Sequence, residues 1–512
     1  MPLSPSSPVP SLLNVRRFGS FSLLVAALAC SPLLPGPVPT GGALAAQSGA
    51  VSEWRYWGGD AGSTRFSALD QIHPGNAGEL EVAWRWTSAN FGPDPETYYR
   101  ATPLYADGRL FTVAGTRRAV VAIDPSTGET LWTWRMDEGA RWEEAPRRFS
   151  GRGLAYWGEG AGARVYVTTP GYRLVALDPA TGIPDPAFGV DGVVDLKEGL
   201  GFPVDPLTGI AEGEIGSSSP PIVSRGVVVV GGTHLPGTFP RAKRNIPGHI
   251  RGYDARTGAL LWTFHTIPRP GEYGHDTWEE GSWEYTGKVA AWATLSVDDE
   301  LGLVYLPMGA PTNDYYGGHR LGDNLFSQSL VALDVTTGER VWHQQFIRHD
   351  LWDWDLPTAP TLVDITVDGR TIPAVAQVTK QSWVYIFHRR TGEPVWPMEE
   401  RPVPASDVPG ERAAPTQRFP TWPLPYDRQG VQEHDLIDFT PELRAEALEL
   451  VKHYRLGPIF TPPSLADDPS GTQGTLVAPG AFGGADIMGG AAVDPRSGAL
   501  FAASIGGFSR LA

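Results

Sequence analysis

Cysteine is almost missing: Cys30 is the single thiol in 512 residues. One sulfur forms no internal disulfide, no thiolate zinc cluster and no haem attachment of the CxxCH kind. Any electron carrier must therefore be held by other groups or sit elsewhere. Positive charge is also scarce, with 41 Lys and Arg against 57 Asp and Glu and a net charge of −16. No Lys/Arg-rich block interrupts that excess, which argues against a nucleic-acid partner, because a phosphate backbone demands concentrated cationic charge. Past the N-terminal leader no segment reads as a membrane-spanning helix.

Glycine (61), proline (48) and tryptophan (18) are abundant instead. Gly supplies positive φ and Pro breaks helices, so many turns and short elements are expected and a mostly helical protein is not. Hydrophobic residues at 41% and aromatics at 10% suffice for a large core. All-β rings routinely exceed the usual domain length as one unit, so one large domain accommodates the chain.

Arg16-Arg17 precede an apolar stretch, Phe18 to Cys30, that is short for a membrane span and reads as a secretory leader. Cleavage is expected near Ala43-Leu44-Ala45. The arginine pair also permits a twin-arginine route, and Ala27-Leu28-Ala29-Cys30 is a poor match to a lipoprotein box. The expected organisation is an export leader over residues 1–48 and one domain over 49–512, with a periplasmic location that leaves lipid or peripheral membrane anchoring open.

The organising feature is a repeat. Val121-Ala122-Ile123-Asp124-Pro125-Ser126-Thr127-Gly128 returns around Asp178 to Gly182, Asp254 to Gly258 and Asp334 to Gly338, with weaker copies ending at Gly392 and Gly498. The pattern predicts a strand, a turn capped by Asp with Gly at its tight end, and a second strand. Trp132, Trp262, Trp342 and Trp396 each follow a turn Gly by four residues. The spacing of the copies fits four-stranded blades with insertions, so the expected fold class is all-β, a β-propeller. Residues 399 to 430, rich in Pro, are expected to form an irregular excursion, and residues 436 to 454 a short helix.

Several segments resemble the pyrroloquinoline quinone (PQQ) dependent alcohol and glucose dehydrogenases, quinoproteins built on an eight-bladed propeller. The strongest stretch is His349-Asp350-Leu351-Trp352-Asp353-Trp354-Asp355-Leu356-Pro357, followed by Thr379-Lys380. It looks most like the membrane glucose dehydrogenase branch. Trp54 to Asp60, Arg152 to Trp157, Ser217 to Pro221 and Trp292 extend the resemblance over roughly residues 51 to 509.

That resemblance implies an oxidoreductase acting on CH–OH donors, an alcohol or an aldose sugar, with PQQ and calcium as cofactors. A separate cytochrome c or membrane quinone would take the electrons. It makes Asp353 the catalytic base, with Asp350 and Asp355 as competitors for that role, and Asp353 a calcium ligand as well. Lys380, Trp292, Arg152, Ser218, Ser219 and Asp486 would contact PQQ. The metal shell departs from the family pattern: the expected glutamate falls near His234-Leu235-Pro236 and the expected Gly-Asn pair reads Gly309-Ala310. Asn313 and Asp314 are the candidates to replace the missing oxygens, and Gly483 to Gly490 lacks the family's Asn-Trp pair. A propeller that has lost turnover and serves as a binding or outer-membrane assembly scaffold is the alternative, and a propeller lyase or hydrolase a third. The chain is short for this family, so the ring is expected either to close economically or to be incomplete at its C-terminus.

Overall fold

The computed structural model describes residues 53–89, 91–92, 96, 98–203, 215–235, 242–467, 471–487 and 489–512. The expected leader, with Arg16, Arg17 and Cys30, lies outside the described residues. Among the described residues, four antiparallel four-stranded sheets follow one another along the chain, each an up-and-down meander. The first holds Leu104–Ala106, Arg109–Ala114, Ala119–Ile123 and Thr130–Trp134. The second holds Ala155–Trp157, Arg164–Thr168, Arg173–Leu177 and Val193–Asp195; the third, Ile222–Ser224, Val227–Val230, Ile250–Asp254 and Leu260–Phe264. The fourth holds Ser296–Asp298, Leu303–Pro307, Ser329–Asp334 and Arg340–Gln345. A fifth sheet keeps three strands, Thr361–Val367, Arg370–Val378 and Val384–His388.

The sheets stack face to face, which explains their composition. Every residue of Ala119–Ile123 and of Val227–Val230 is buried, as expected for strands covered on both faces. Phe111, Val113, Tyr156, Val165 and Val175 pack between the first and second sheets, and Tyr166, Leu174, Val228 and Tyr253 between the second and third. The first strands of successive sheets lie side by side, from Leu104–Ala106 through Ala155–Trp157, Ile222–Ser224 and Ser296–Asp298 to Thr361–Val367. Across them runs the segment around residues 54–64. Its backbone pairs with Tyr105 and accepts amides from Val297, Leu362 and Val493.

The repeated turns form as the sequence predicts. Asp124 Oδ1 accepts the amides of Ser126 (2.7 Å) and Thr127 (3.1 Å), and Asp334 Oδ1 those of Thr336 and Thr337 (both 2.9 Å). Gly128, Gly182, Gly258, Gly338 and Gly392 all take φ between 71° and 75°, a region closed to most L-residues.

The tryptophans have a further part. Trp132, Trp262 and Trp342 leave the last strand of one sheet and lie on the turn glycine of the next. Each indole N–H donates to the carbonyl one residue past the turn's first position: Trp132 to Pro179, Trp262 to Val335 and Trp342 to Arg389, all at 3.0 Å. Trp84 does the same to Pro125 at 2.9 Å, before the first sheet. A Cβ on Gly338 would stand 2.5 Å from the Trp262 ring, so only glycine leaves room. At the joint between the second and third sheets no tryptophan follows the turn glycine Gly182 by four residues, and Tyr166 Oη donates to the equivalent carbonyl, Ala255, at 2.5 Å.

Two expectations resolve in different ways. The helix forms as Pro441–Val451, capped by Thr440. The excursion over residues 399 to 430 is more regular than its proline content suggests, because Met398–Pro402 pairs with Thr416–Pro420 as a two-stranded ladder. Pro402 and Pro420 sit at its ends, where a missing N–H costs little.

The loop into the fifth sheet is anchored by Asp350. Its Oδ1 accepts the amides of Trp352 (3.2 Å) and Trp354 (3.4 Å), and Gln328 Nε2 donates to Oδ2 at 3.0 Å. The two indoles stack with centroids 5.1 Å apart and donate to Thr461 O (2.8 Å) and Pro479 O (3.3 Å). Burial pushes the Asp350 carboxyl up to about 7, against the opposing charge of Arg320 and with a contribution from Asp355.

Replacing Trp262 with Ala is expected to lower the unfolding free energy by about 3–5 kcal/mol in urea titrations, and Gly338→Ala by more than about 1 kcal/mol. For Asp350 the sign follows from its raised pKa. The folded state holds the proton more tightly, so this contribution is complete below about pH 4 and is lost as pH rises through about 7. Asp350→Asn, which keeps a neutral side chain, is therefore expected to fold and to gain stability relative to the parent as pH rises from about 5 to about 8. A variant and parent with parallel stability profiles over that range would refute the assignment.

Candidate active site

The meander dictates where loops gather. In a four-stranded antiparallel sheet, the lead-in to the first strand and the connection between second and third strands emerge at one end, whereas the Asp-capped turns emerge at the other. At the lead-in end lies a cavity of about 280 Å³. Arg100 stands just ahead of Leu104–Ala106, Arg152 ahead of Ala155–Trp157, Ser218 ahead of Ile222–Ser224, Trp292 ahead of Ser296–Asp298, and Asp353 and Asp355 ahead of Thr361–Val367. The connections after second strands add His234, Ala310 with Asp314, and Lys380.

A chain of hydrogen bonds sets the indole of Trp292. Arg152 Nη1 donates to Ser218 Oγ (3.1 Å) and Ser219 Oγ (3.5 Å), and both hydroxyls donate to Trp292 O, at 3.2 and 2.6 Å. The Arg152 guanidinium carbon stands 5.2 Å from the Trp292 ring centroid, within cation–π range. Opposite them, Lys380 Nζ donates to Asp353 O (2.5 Å) and Asp353 Oδ2 (3.3 Å), and lies 3.8 Å from Asp355 Oδ2. Asp355 Oδ1 accepts the Ala310 amide, and Lys288 Nζ is hydrogen-bonded to Asp314 Oδ1. Gly309 leaves room for this packing: a Cβ there would stand 2.9 Å from Asp355 Oδ1 and 3.0 Å from Trp292.

Burial and mutual repulsion define the electrostatics. Burial pulls Arg152 down to about 9, and the neighbouring cations Arg100, Arg147 and Arg118 add to the shift. Arg100 is lowered to about 10, by burial and then by Arg147. Guanidinium groups pushed together in this way favour an anion between them. Burial raises the Asp353 carboxyl well above the ordinary range, opposed by Lys380 and assisted by Asp314 and Asp355. His234 is held neutral, with a pKa of about 3, by burial and then the charge of Lys288, against an opposing interaction with the Ile246 backbone.

Of the residues singled out from sequence, the cavity brings together Arg152, Ser218, Trp292, Asp314, Asp353 and Lys380. Ser219 stands behind the Trp292 backbone. Asn313 is not among the lining residues: its Oδ1 accepts the Tyr315 amide at 3.2 Å and its carbonyl accepts from Arg320. Asp486 is not in the wall, to which its neighbours Phe482 and Ile487 contribute, and its charge acts on Arg65 and Arg100. Gly484, at φ 70°, lies against the Lys380 backbone, so this glycine-rich segment supports the turn that carries Lys380. Sequence reasoning missed Arg100, Arg147 and Lys288. The meander rule would have marked Arg100, four residues ahead of a first strand, but not how near it comes to Arg152.

The donor set fits a flat polyanion: an indole face with arginines and lysines around it. It does not fit a divalent cation. Asp314 and Asp353 each already hold a lysine ammonium, Leu235 and Ala310 bring no side-chain oxygen, and no metal-binding group of three His, Cys, Asp or Glu side chains occurs among the described residues.

Comparisons with known proteins show the family. The profile described as "PQQ: Glucose/ethanol/alcohol dehydrogenase, beta-propeller domain" matches residues 54–508. The glycerol dehydrogenase large subunit of Gluconobacter oxydans (strain 621H) is 32% identical over 98% of this chain and 64% of its own length. The quinate/shikimate dehydrogenase (quinone) of Acinetobacter baylyi is 33% identical over 88% of this chain and 55% of its own. Among solved structures, the quinohemoprotein alcohol dehydrogenase of Comamonas testosteroni superposes with a TM-score of 0.62 at 24% identity, covering 88% of this chain and 57% of that one, a likeness of fold. The chain thus spans between half and two thirds of the length of these relatives. With its repeated meander sheets and a match over residues 54–508, the chain belongs to the family of PQQ-dependent quinoprotein dehydrogenases.

Proposed function

We propose that residues 49–512 form the catalytic propeller of an exported, periplasmic PQQ-dependent dehydrogenase that oxidises a CH–OH donor, an alcohol or an aldose. The sheets are read as blades of the family's eight-bladed ring, and the electrons as passing to a separate cytochrome c or membrane quinone. The observation that carries this reading is the convergence of Arg152, Trp292, Asp353 and Lys380 on one cavity. A scaffold would leave that buried concentration of charge without a purpose.

Bound PQQ would supply an ortho-quinone able to accept the two electrons of the oxidation. Arg100, Arg147 and Arg152 would hold its carboxylates, with Ser218 fixing Arg152, and the Trp292 indole would offer its face to the ring system. Ser219 would act from behind, through the Trp292 carbonyl. Asp486 would act through its charge on Arg100. The Lys380 ammonium, already held at Asp353, would stabilise negative charge developing on a quinone oxygen. Asp353 would accept the substrate hydroxyl proton: burial makes its carboxylate more basic than one in water, and Lys380 keeps it ionisable. Asp355, tied to the Ala310 amide, is the less available of the two carboxylates.

Quenching of tryptophan fluorescence on adding PQQ measures the first step, and Arg152→Ala or Trp292→Ala is expected to weaken binding by about tenfold or more. Asp353→Asn is expected to bind PQQ normally while dye-coupled turnover on a panel of alcohols and aldoses falls by about 10²-fold or more. Full turnover in that variant would remove Asp353 as the base. Because the base must be deprotonated and its pKa is raised, kcat/KM is expected to climb with pH on a limb above the usual carboxylate range. The limb should vanish in Asp353→Asn.

A further inference from the structure

Lys288 stands apart from the residues the family resemblance marks, yet it is built into the cavity wall with unusual care. It lines the same cavity as Trp292, Ala310 and Asp353, and its Nζ is hydrogen-bonded to Asp314 Oδ1. The two side chains are 12% and 4% exposed, so the pair is shielded from bulk water. The backbone of Lys288 is gripped from both sides. Its amide donates to Ile246 O at 3.0 Å, its carbonyl accepts from Gly248 N at 2.5 Å, and bridges join it to Pro247 and Pro311. Lys288 and Val289 take φ of 62° and 46°, two successive non-glycine residues in the left-handed region. Such a conformation persists only where surrounding contacts impose it, and it is commonly found where a side chain must be aimed.

The charge balance gives this placement its meaning. Five cationic side chains, Arg100, Arg147, Arg152, Lys288 and Lys380, face Asp314, Asp353 and Asp355, so the cavity already carries positive charge in excess. The acidic groups that would attract a dication are the ones the two ammonium groups hold. A calcium ion entering here would have to displace Lys288 from Asp314 in a shielded site, and Ala310 and Leu235 would bring no side-chain oxygen to repay its lost hydration.

We propose that the Lys288 ammonium, held by Asp314, is the resident cation of this site, standing covalently where a bound calcium would otherwise act beside PQQ. This rests on the PQQ reading above and adds to it that the site loads without a divalent metal. A fixed ammonium supplies one positive charge and hydrogen-bond donors toward an oxygen of the bound anion, with no coordination shell to assemble.

The test separates the two readings. The chelator-treated chain is dialysed to equilibrium against radioactive calcium without PQQ, and PQQ is titrated in chelator and, in parallel, in excess calcium. The expected result is no stoichiometric calcium uptake and PQQ affinities that agree within about twofold in the two buffers. Lys288→Met should weaken PQQ binding by about tenfold or more in chelator, and Lys288→Arg should restore most of it. One calcium bound per chain, or PQQ binding that disappears in chelator and returns with calcium, overturns the proposal and leaves the PQQ reading standing. No PQQ binding in either buffer overturns the PQQ reading and the proposal with it. The calcium and buffer comparisons use the unaltered chain, so they decide the matter even where a variant does not fold.

Discussion

The contact of an indole from one sheet with the turn of the next is the constraint on which the rest of this structure depends. A meander sheet with two apolar faces has no stable existence alone, because each face must be covered and each edge carries unpaired backbone groups. Trp132, Trp262 and Trp342 cover the neighbouring turn and at the same time give its carbonyl a donor. The turn must then present a glycine, since a side chain at Gly338 or Gly392 would occupy the volume of the ring. Tryptophan, Asp-capped turn and glycine are thus one device divided between two sheets.

That device also decides where chemistry resides. It occupies the end of each sheet at which third and fourth strands join. The opposite end is left to the lead-in loops and the second connections, which are not bound by the repeat and are free to carry arginine, lysine and aspartate. Adjacent first strands bring successive lead-in loops together, so residues as distant along the chain as Arg100 and Asp353 face one cavity. Inside it the low dielectric amplifies every charge, and the pairs Lys380 with Asp353 and Lys288 with Asp314 are what make so many ionic groups tolerable there.

Much of the fold was legible because its signals are local. The spacing of Asp124, Asp178, Asp254 and Asp334 announced the turns, and strands such as Val227–Val230 declared two buried faces by lacking alternation. The joint filled by Tyr166 was harder to read, since the missing tryptophan after Gly182 marks a gap but not its substitute. Six of the site candidates were legible through resemblance of motifs and do share a cavity. Asn313 was harder to place, because a polar side chain beside glycines reads the same in sequence whether it faces a ligand or caps its own turn, as its Oδ1 does with the Tyr315 amide. Lys288 was illegible for the opposite reason, a lone lysine four residues before a tryptophan with no motif around it.

By itself the sequence determined the class of fold, the positions of the turns and the exclusion of thiol-based redox centres, all of which follow from residue types acting over a few positions. The tertiary structure alone decided which charges meet. Electrostatic pairing depends on distance in space, and the distances that matter join Arg152 to Trp292, Lys380 to Asp353 and Lys288 to Asp314, pairs separated along the chain by 26 to 140 residues. Whether the cavity calls for a divalent metal or already holds its own cation is a question of that pairing, and no spacing in the chain contains the answer.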